Sequence, residues 1–360
     1  MFSKADTQFM AHALRLARRG LFTATPNPRV GCLLVSKNAI VAEGWHERAG
    51  EPHAEIVALN AAKEQAAGAT AYVTLEPCCH YARTAPCADA LIAAGVSRVV
   101  AAMQDPNPRV AGAGLARLRE AQVQVECGLL EAQAGDLNRG FVSRMTRNRP
   151  WVTMKIAASL DGKTALGTGE SRWLTSEDSR RDAHRFRARS CAILTGIGTV
   201  AQDDPQMTVR YVNSTRRPLR VVVDSKLQIP NHAKILAGGG VLVASALNYP
   251  GVIRRLQNAG AQVAVLPGAA GKVDLAALMQ ELANREINEL LVEAGSGLNG
   301  ALLRAGLVDE LLLYMSPHFL GEAGRGMFDL PDLPDLERKR EFRIVDVRKV
   351  GADMRILARL

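Results

Sequence analysis

Three side chains that commonly bind metal ions, His53, Cys78 and Cys87, come from separate segments of the chain. Two thiolates and one imidazole suit zinc, and a catalytic zinc site uses three protein ligands and leaves a fourth position for water. A strand-like run from Ala71 precedes Cys78, and a helix-like run follows Cys87, where the helix N-terminus would favour the thiolate. The fold must therefore bring these segments together at one point.

A carboxylate stands beside this ligand set. Glu55 is so close to His53 in the chain that the two side chains cannot easily bind the same metal ion. It is well placed, however, to carry protons for a water molecule that the metal activates. His-x-Glu followed by Pro-Cys and a second Cys is typical of zinc-dependent nucleobase deaminases, although the spacing from Cys78 to Cys87 is longer than usual. The alternative is a structural zinc site with Cys79 or His80 as fourth ligand, which would leave Glu55 without a task.

These residues belong to longer motifs, which are Pro26-Asn27-Pro28, Gly44-Trp45-His46, and the segments 50–55, 74–78, 83–87 and 105–108. Together they resemble the deaminase half of the bifunctional riboflavin-biosynthesis deaminase/reductase family, in which the loop between the cysteines is long. Ala82 and Ala85 depart from the Gly and Pro usual in that family, and neither change removes a ligand. The resemblance implies a cytidine-deaminase-like three-layer α/β domain that binds Zn²⁺ and acts on a phosphorylated pyrimidine.

Length and composition favour two α/β domains. The chain has 360 residues, of which 48% are hydrophobic, and a polar, basic segment at 146–150 suggests a linker between domains at 1–146 and 150–360. The N-terminus is charged where a signal sequence would be apolar, and no run of 18 apolar residues occurs. We therefore expect a cytoplasmic protein without membrane contact, in which disulfides are not expected.

The formal net charge of +9 raises the question of nucleic-acid binding. Aromatic residues make up only 4% of the chain and are not interleaved with basic runs, as stacking on bases would require. The densest basic stretch, Arg172 to Arg189, instead suggests phosphate handling, although a solvated helix face explains most of its arginines equally well. We expect no nucleic-acid partner.

Periodicity predicts helices at 6–19 and 131–144 in the first half and a run of strands separated by helices in the second. No Gly-x-Gly-x-x-Gly follows a first strand, so an ordinary Rossmann site is not indicated. Glycine-rich segments after two later strands, Gly196 to Thr199 and Gly295 to Gly300, would let backbone amides approach a phosphate at a helix start.

Further motifs in the second half include 158–162, Ser171-Arg172-Trp173, Asp203-Asp204-Pro205 and Glu293-Ala294-Gly295. They resemble the reductase half of the same family, which is similar to dihydrofolate reductase in fold, and imply reduction of a ribosyl chain by NADPH. By this resemblance the substrate would contact Ser171, Arg187, Met207, Arg210 and Glu293. NADPH would contact Ala157, Trp173, Thr199, Asp203, Ser225, Gly295, Ser296, Gly297, Leu298, Asn299, Gly300 and Ala301.

Several assignments in the second half remain open at this point. Arg187 and Arg210 suit phosphate, because guanidinium matches its geometry in a bidentate way. Trp173 is equally consistent with a partly buried core aromatic. Lys155 and Asp161 are both candidates for the proton donor. We also expect a homo-oligomer, a dimer or tetramer.

Two other classes of protein compete with this interpretation. A cytidine or tRNA-editing deaminase with an unrelated C-terminal module would share the zinc motif, but the long cysteine loop disfavours it. A regulatory binding protein descended from the enzyme would have lost Glu55 or a ligand, and all four residues are present.

Overall fold

The computed structural model describes residues 2–79, 86–108, 110–214, 216–332 and 334–360. The chain forms two compact units, Met1–Asn148 and Arg149–Leu360. The division lies within the polar segment 146–150 that the sequence suggested as a linker. Both units contain a sheet and helices, which confirms the α/β prediction.

The first unit has a five-stranded sheet in the order β2-β1-β3-β4-β5, in which β1 is antiparallel to both neighbours and β3, β4 and β5 are parallel. Its strands are β1 (Gly31–Ser36), β2 (Ala39–Trp45), β3 (Thr70–Val73), β4 (Arg98–Ala101) and β5 (Gln124–Cys127). Its helices are α1 (Lys4–Ala17), α2 (Ala54–Ala62), α3 (Cys87–Ala93), α4 (Ala113–Glu120), α5 (Glu131–Leu137) and α6 (Arg139–Arg147), with 3-10 turns at Arg18–Phe22 and Lys63–Ala66.

Two glycines show that helices cover both faces of this sheet. A Cβ atom at Gly31 would lie 2.1 Å from the carbonyl oxygen of Ala13 in α1, and one at Gly44 would lie 2.1 Å from that of Ala54 in α2. Gly44 pairs with Cys32, the neighbour of Gly31, so the two glycines point to opposite faces. The unit is therefore three-layered, and its helices approach the strands more closely than any side chain would permit.

The predicted helix 131–144 is wrong as a single element, because the chain turns at Asn138 between α5 and α6. The Asn138 side chain accepts from the backbone N–H of Arg29 at 2.7 Å and donates to its carbonyl oxygen at 2.9 Å. Asn138 is 2% exposed, so this pairing replaces backbone hydrogen bonds in the interior. Periodicity considers only neighbouring residues, so it does not predict a contact between Asn138 and a residue as distant in the chain as Arg29.

The second unit has a nine-stranded sheet in the order β11-β10-β9-β8-β12-β6-β13-β16-β15, parallel except for β16, which runs antiparallel to β13 and β15. The nine strands are β6 (Trp151–Ser159), β8 (Ala192–Gly196), β9 (Leu219–Val223), β10 (Val241–Ser245), β11 (Ala261–Val265), β12 (Glu289–Val292), β13 (Glu310–Ser316), β15 (Arg343–Val350) and β16 (Asp353–Arg359). Two short strands, β7 (Lys163–Ala165) and β14 (Arg325–Gly326), pair antiparallel in a separate sheet. Its helices are α7 (Glu177–Arg189), α8 (Ile197–Asp203), α9 (Pro250–Asn258), α10 (Leu275–Asn284) and α11 (Ser296–Arg304), with 3-10 turns at Lys234–Leu236, Ala269–Gly271 and Leu336–Arg338.

The carboxyl ends of the parallel strands β6, β8 and β12 lie side by side in this sheet. Helices α8 and α11 begin directly after β8 and shortly after β12. This edge is where an open parallel sheet commonly binds ligands. None of the helices formed by the described residues combines the length and apolar character needed to span a lipid bilayer.

The close approach at Gly44 predicts the effect of a single methyl group. Gly44→Ala should lower the free energy of unfolding by about 1–3 kcal/mol, because Ala54 and Ala58 must move away from the strand. Since α2 starts beside His53 and Glu55, the displacement should also weaken metal binding. Chemical denaturation with and without added Zn²⁺ measures both effects.

Gly135 in α5 provides the matched control for this substitution. No atom lies within 4 Å of the position that its Cβ would take. Gly135→Ala should therefore be neutral or stabilising by about 0.5–1 kcal/mol, as expected inside a helix. Equal destabilisation by the two substitutions would contradict the packing argument.

Candidate functional site

The three predicted metal ligands of the first unit lie together. His53 immediately precedes α2, Cys87 is the first residue of α3, and Cys78 follows β3. Their ligand atoms lie within 4.8 Å of one another. The Nδ1 atom of His53 is 3.3 Å from Sγ of Cys87 and 3.6 Å from Sγ of Cys78.

These separations fit a shared zinc ion. Zinc binds imidazole nitrogen at about 2.0 Å and thiolate sulfur at about 2.3 Å, so tetrahedral geometry places the two ligand atoms about 3.5 Å apart. Among the described residues the group comprises only these three side chains, which leaves a fourth position open. The alternative fourth ligand His80 lies outside the described residues, as do Ala82 and Ala85, and Cys79 is not part of the group.

The cysteines differ in acidity because they interact directly. Hydrogen bonding from Cys87 lowers the pKa of Cys78 to about 4 against the opposing effect of burial, and the same bond raises the pKa of Cys87. The backbone N–H of Cys87, at the start of α3, also donates to Sγ of Cys78 at 3.3 Å. Cys78 is therefore stabilised as the thiolate that a metal requires.

Glu55 lies in the first turn of α2 and is 3% exposed. Burial raises the pKa of its carboxyl group to about 7, with His53 opposing the shift. A carboxyl group with this pKa exchanges protons readily near neutrality. Glu55 does not belong to the three-ligand group, which agrees with the separate role predicted for it.

Two further side chains lie behind His53, because His46 contacts it and Asn27 holds His46. The carbonyl oxygen of Pro52 lies 3.1 Å from Nδ1 of His46, so that nitrogen carries the proton, and Nε2 accepts from the side-chain amide of Asn27 at 3.0 Å. The His46 ring meets the His53 ring edge-on, with centroids 5.4 Å apart. Both residues lie in the motifs quoted above, but the sequence alone gave no role for them.

Glu76 anchors the loop that follows β4. Its buried carboxylate accepts from the backbone N–H groups of Asp105, Gly112, Gly114 and Leu115 at 2.8–3.3 Å. Four hydrogen bonds satisfy a buried carboxylate without a cation. Glu76 precedes Cys78 in the chain, so these bonds fix the backbone next to a metal ligand.

The second unit contains a cleft of about 1090 Å³ at the carboxyl edge of its sheet. All five predicted substrate residues line it, namely Ser171, Arg187, Met207, Arg210 and Glu293. So do eight of the predicted NADPH residues, namely Ala157, Trp173, Thr199, Asp203, Gly295, Ser296, Gly297 and Leu298.

Ser225, Asn299, Gly300 and Ala301 are not among the residues that line this cleft. The Ser225 hydroxyl accepts from the backbone N–H of Val273 at 3.1 Å. In α11 the Asn299 amide donates to the carbonyl oxygens of Ala294 and Met327, and a Cβ atom at Gly300 would lie 2.0 Å from the carbonyl oxygen of Asp329. The contacts of Asn299 and Gly300 hold α11 in place behind the cleft.

Arg187 and Glu293 form a buried bidentate ion pair, with N–O distances of 2.6 and 2.9 Å. Burial raises the pKa of Glu293, but Arg187 more than compensates, and the pKa falls to about 2. The third guanidinium nitrogen of Arg187 donates to the carbonyl oxygen of Thr208 at 3.0 Å. Arg210, in contrast, is exposed, and its guanidinium contacts only Gln206, at 3.5 Å, among the described side chains.

Lys155 and Asp161 have different surroundings. Lys155 lies on β6, lines the cleft, and forms no hydrogen bond or ion pair with any described residue, and burial lowers its pKa. Asp161 accepts from the Ser159 hydroxyl and from the backbone N–H groups of Leu320 and Gly321. Asp161 therefore stabilises a loop, whereas the ammonium group of Lys155 is available to a ligand.

Trp173 is 70% exposed at the cleft, which rules out the core position considered above. The Arg180 guanidinium lies 4.5 Å from its ring centroid, and that of Arg172 lies 5.9 Å away. An exposed indole flanked by cations offers a flat surface on which an aromatic ring can stack.

Comparison with known proteins identifies both units. Residues 3–103 match the cytidine and deoxycytidylate deaminase zinc-binding region, and residues 150–356 match the RibD C-terminal domain. The chain is 48% identical to riboflavin biosynthesis protein RibD of Escherichia coli K12, over 97% of this chain and 98% of that protein.

Two solved structures are similar to this chain over nearly its whole length. Acinetobacter baumannii RibD (form 1) is 41% identical and superimposes with a TM-score of 0.92, covering 99% of both chains. A diaminohydroxyphosphoribosylaminopyrimidine deaminase/5-amino-6-(5-phosphoribosylamino)uracil reductase from Thermotoga maritima is 32% identical, with a TM-score of 0.87 over 99% of this chain and 98% of that one. The chain therefore belongs to the RibD family of riboflavin-biosynthesis enzymes, which join a zinc-dependent deaminase domain to a reductase domain.

Proposed function

We propose that the chain catalyses two consecutive steps of riboflavin biosynthesis. The first is the hydrolytic deamination of 2,5-diamino-6-(5-phosphoribosylamino)pyrimidin-4(3H)-one, and the second is the reduction of the ribosyl chain of the product to a ribityl chain by NADPH. The observation that carries this proposal is the group of His53, Cys78 and Cys87, with ligand atoms 3.3 and 3.6 Å apart, beside a buried Glu55. Membership of the RibD family supports both steps.

The deaminase domain is assigned to residues 1–146 and the reductase domain to 150–360. The boundary between the compact units, at Asn148 and Arg149, supports this division. On the reductase side, Arg149 pairs with Asp309 at 2.7 and 2.9 Å, which fastens the start of that domain to its own core. Each domain therefore has its own sheet and its own site.

Deamination needs a nucleophile and a proton carrier. Zinc held by His53, Cys78 and Cys87 supplies a water molecule of lowered pKa when it is bound. Glu55 takes the proton from the attacking water and passes it to the amino group that leaves as ammonia. Because burial sets the pKa of Glu55 to about 7, the carboxyl group can both accept and release this proton.

Reduction consumes one hydride and one proton. NADPH supplies the hydride to C1′ of the ribosyl chain when it is bound. Lys155 delivers the proton, since its ammonium group lines the cleft without a hydrogen-bond partner among the described residues and burial lowers its pKa. The hydrogen bonds that Asp161 accepts from Ser159, Leu320 and Gly321 support Lys155 rather than Asp161 in this role.

The cleft divides between two ligands. We assign Ser171, Arg187, Met207, Arg210 and Glu293 to the substrate, with exposed Arg210 rather than ion-paired Arg187 as the direct partner of its phosphate. NADPH takes the remaining predicted residues, with Trp173 as a stacking surface. The cleft lining supports this assignment for eight of these residues and gives no support for Ser225 and Asn299 to Ala301.

Location and assembly are also part of the proposal. None of the six cysteines forms a disulfide bond, which supports the reducing cytoplasm. The outermost strand β15 exposes Ile344 (61%), Val347 (51%) and Val345 (36%), and an apolar sheet edge of this kind favours pairing with a second copy of the chain.

One pair of variants separates metal binding from proton transfer. The protein should contain about one zinc per chain, and Cys87→Ser should lose it, because one of three ligands is removed. Glu55→Gln should retain zinc but lose deamination by a factor on the order of 10² to 10⁴. Zinc content by elemental analysis and ammonia release measure the two effects.

Both variants serve as controls for the second domain. They should still reduce the deaminated substrate with NADPH, since the reductase cleft is formed by other residues. Loss of zinc in Glu55→Gln would make Glu55 a ligand, and full zinc content in Cys87→Ser would refute the ligand assignment.

Lys155→Met should lower the kcat of reduction by about 10² to 10⁴, because the proton donor is removed. NADPH affinity, measured by calorimetry, should change by less than about twofold. In the wild type, activity should fall as pH rises through the lowered pKa of Lys155, below the ordinary lysine value of about 10.4. Lys272→Met, at an exposed position outside the cleft, is the control, and equal activity of the two variants would disprove the assignment.

Assembly can be tested at the exposed strand. The wild type should sediment as a dimer or tetramer, and Ile344→Lys with Val347→Lys should shift it towards the monomer by placing charges on the apolar edge. Ile40→Lys, at an exposed isoleucine of β2, should leave the sedimentation coefficient unchanged. A monomeric wild type would disprove the homo-oligomer.

A further inference from the structure

His184 is a buried residue of the reductase cleft that the proposed mechanism does not use. It lies on α7 between Arg180 and Arg187, is 5% exposed, and lines the cleft. Its Nδ1 atom lies 2.8 Å from the backbone nitrogen of Arg210. A backbone N–H can only donate, so Nδ1 is the acceptor and the proton of the neutral ring is on Nε2.

The imidazole remains neutral at physiological pH. Burial, with the positive charges of Arg187 and Arg210 acting in the same direction, lowers its pKa to about 4. The Nε2–H group is therefore a permanent donor. It has no hydrogen-bond partner among the described residues, and the ring edge meets Tyr211 with centroids 5.1 Å apart.

The side chain of His184 is buried, but its Nε2–H group is not one of the fully buried polar atoms without a partner, so this group is accessible from the cleft. A ligand acceptor can there take the place of water as its partner. The side chains around His184 favour an anionic acceptor. Glu293 is neutralised by its bidentate pair with Arg187, whereas the exposed guanidinium of Arg210 has no carboxylate partner in the described chain. The backbone of that same Arg210 is held by His184.

We propose that the Nε2–H group of His184 donates a hydrogen bond to the phosphate of the reductase substrate, beside the guanidinium of Arg210. The proposal rests on the proposed function, because it requires a phosphorylated substrate in this cleft. His184 is then a binding residue with two functions. Its Nδ1 atom holds the backbone at Arg210, and this same bond directs the donor proton to Nε2.

Two substitutions separate these functions. Asparagine places an acceptor near the position of Nδ1, so His184→Asn keeps the bond to Arg210 and loses the donor. Glutamine places an amide near the position of Nε2, so His184→Gln keeps a donor and loses the bond to Arg210. His232→Asn, at an exposed histidine outside the cleft, is the control.

The measurement is kcat/KM for reduction of the deaminated substrate with and without its 5′-phosphate. His184→Asn should lower the value for the phosphorylated substrate about tenfold to a hundredfold, since the lost bond is to a charged group, and change the other by less than about twofold. His184→Gln should retain most of the preference for phosphate. NADPH affinity should be unchanged in all three variants.

The possible outcomes are distinct. A purely structural role predicts that His184→Asn resembles the wild type while His184→Gln loses activity equally on both substrates, and this result would overturn the proposal. A wild-type protein that reduces neither substrate would overturn the proposed function instead. Because both substrates are measured on the same variant, partial unfolding cancels in their ratio.

A measurement on the wild type covers the case in which a variant does not fold. The chain has seven histidines, and ¹⁵N-histidine spectra resolve the two ring nitrogens of each. Ribose 5-phosphate should shift the Nε2 resonance of the neutral ring whose Nδ1 is the acceptor, and ribose should not. An Nε2 resonance that is unchanged at saturating ribose 5-phosphate would disprove the contact.

Discussion

The first unit depends on one geometric requirement, which is that three soft ligands converge to about 3.5 Å around a single cation. The three ligands meet this requirement because each lies next to a helix or strand whose position is fixed. His53 precedes one helix, Cys87 begins another, and Cys78 follows a strand whose end is tied by the four hydrogen bonds of Glu76. The close contact of Gly44 with α2 fixes the first of these helices against the sheet. Packing of the backbone thus sets the distances between ligand atoms, and the burial that accompanies it sets the acidity of Glu55.

In the second unit a single ion pair distributes the charges of the cleft. Arg187 and Glu293 satisfy each other in a bidentate pair, which is the geometry that compensates for the burial of both charges. Glu293 is therefore not available to pair with Lys155, although its charge acts on that residue. Among the described residues, the cleft therefore has two cationic groups without a carboxylate partner, the ammonium of Lys155 and the exposed guanidinium of Arg210.

Motifs were more informative than periodicity in this chain. The metal ligands could be predicted because their chemistry restricts the residue types and their order, and both α/β units could be predicted from the alternation of strands and helices. A partner distant in the sequence explains why the helix prediction at 131–144 was wrong. Asn138 breaks the predicted helix by binding Arg29. The proposal of Lys155 over Asp161 as proton donor also rests on the structure, because the hydrogen bonds of Asp161 to Leu320 and Gly321 could not be predicted from the sequence.

The basic stretch from Arg172 to Arg189 shows that a charge pattern can be interpreted only when the partners of each residue are known. Its spacing alone is equally compatible with a phosphate site and with a solvated face. In the folded chain Arg181 pairs with Glu177 and Arg189 pairs with Glu289, whereas Arg180, His184 and Arg187 line the cleft. Those three residues follow the i, i+4, i+7 pattern of one helical face, which Ala183 shares as a further residue of the cleft lining. The sequence interpretation gave no role to His184, although helical periodicity applied to polar residues groups it with Arg180 and Arg187, which line the same cleft. The net charge of +9 is therefore less informative about the chain than the position of a few of these charges on one face of α7.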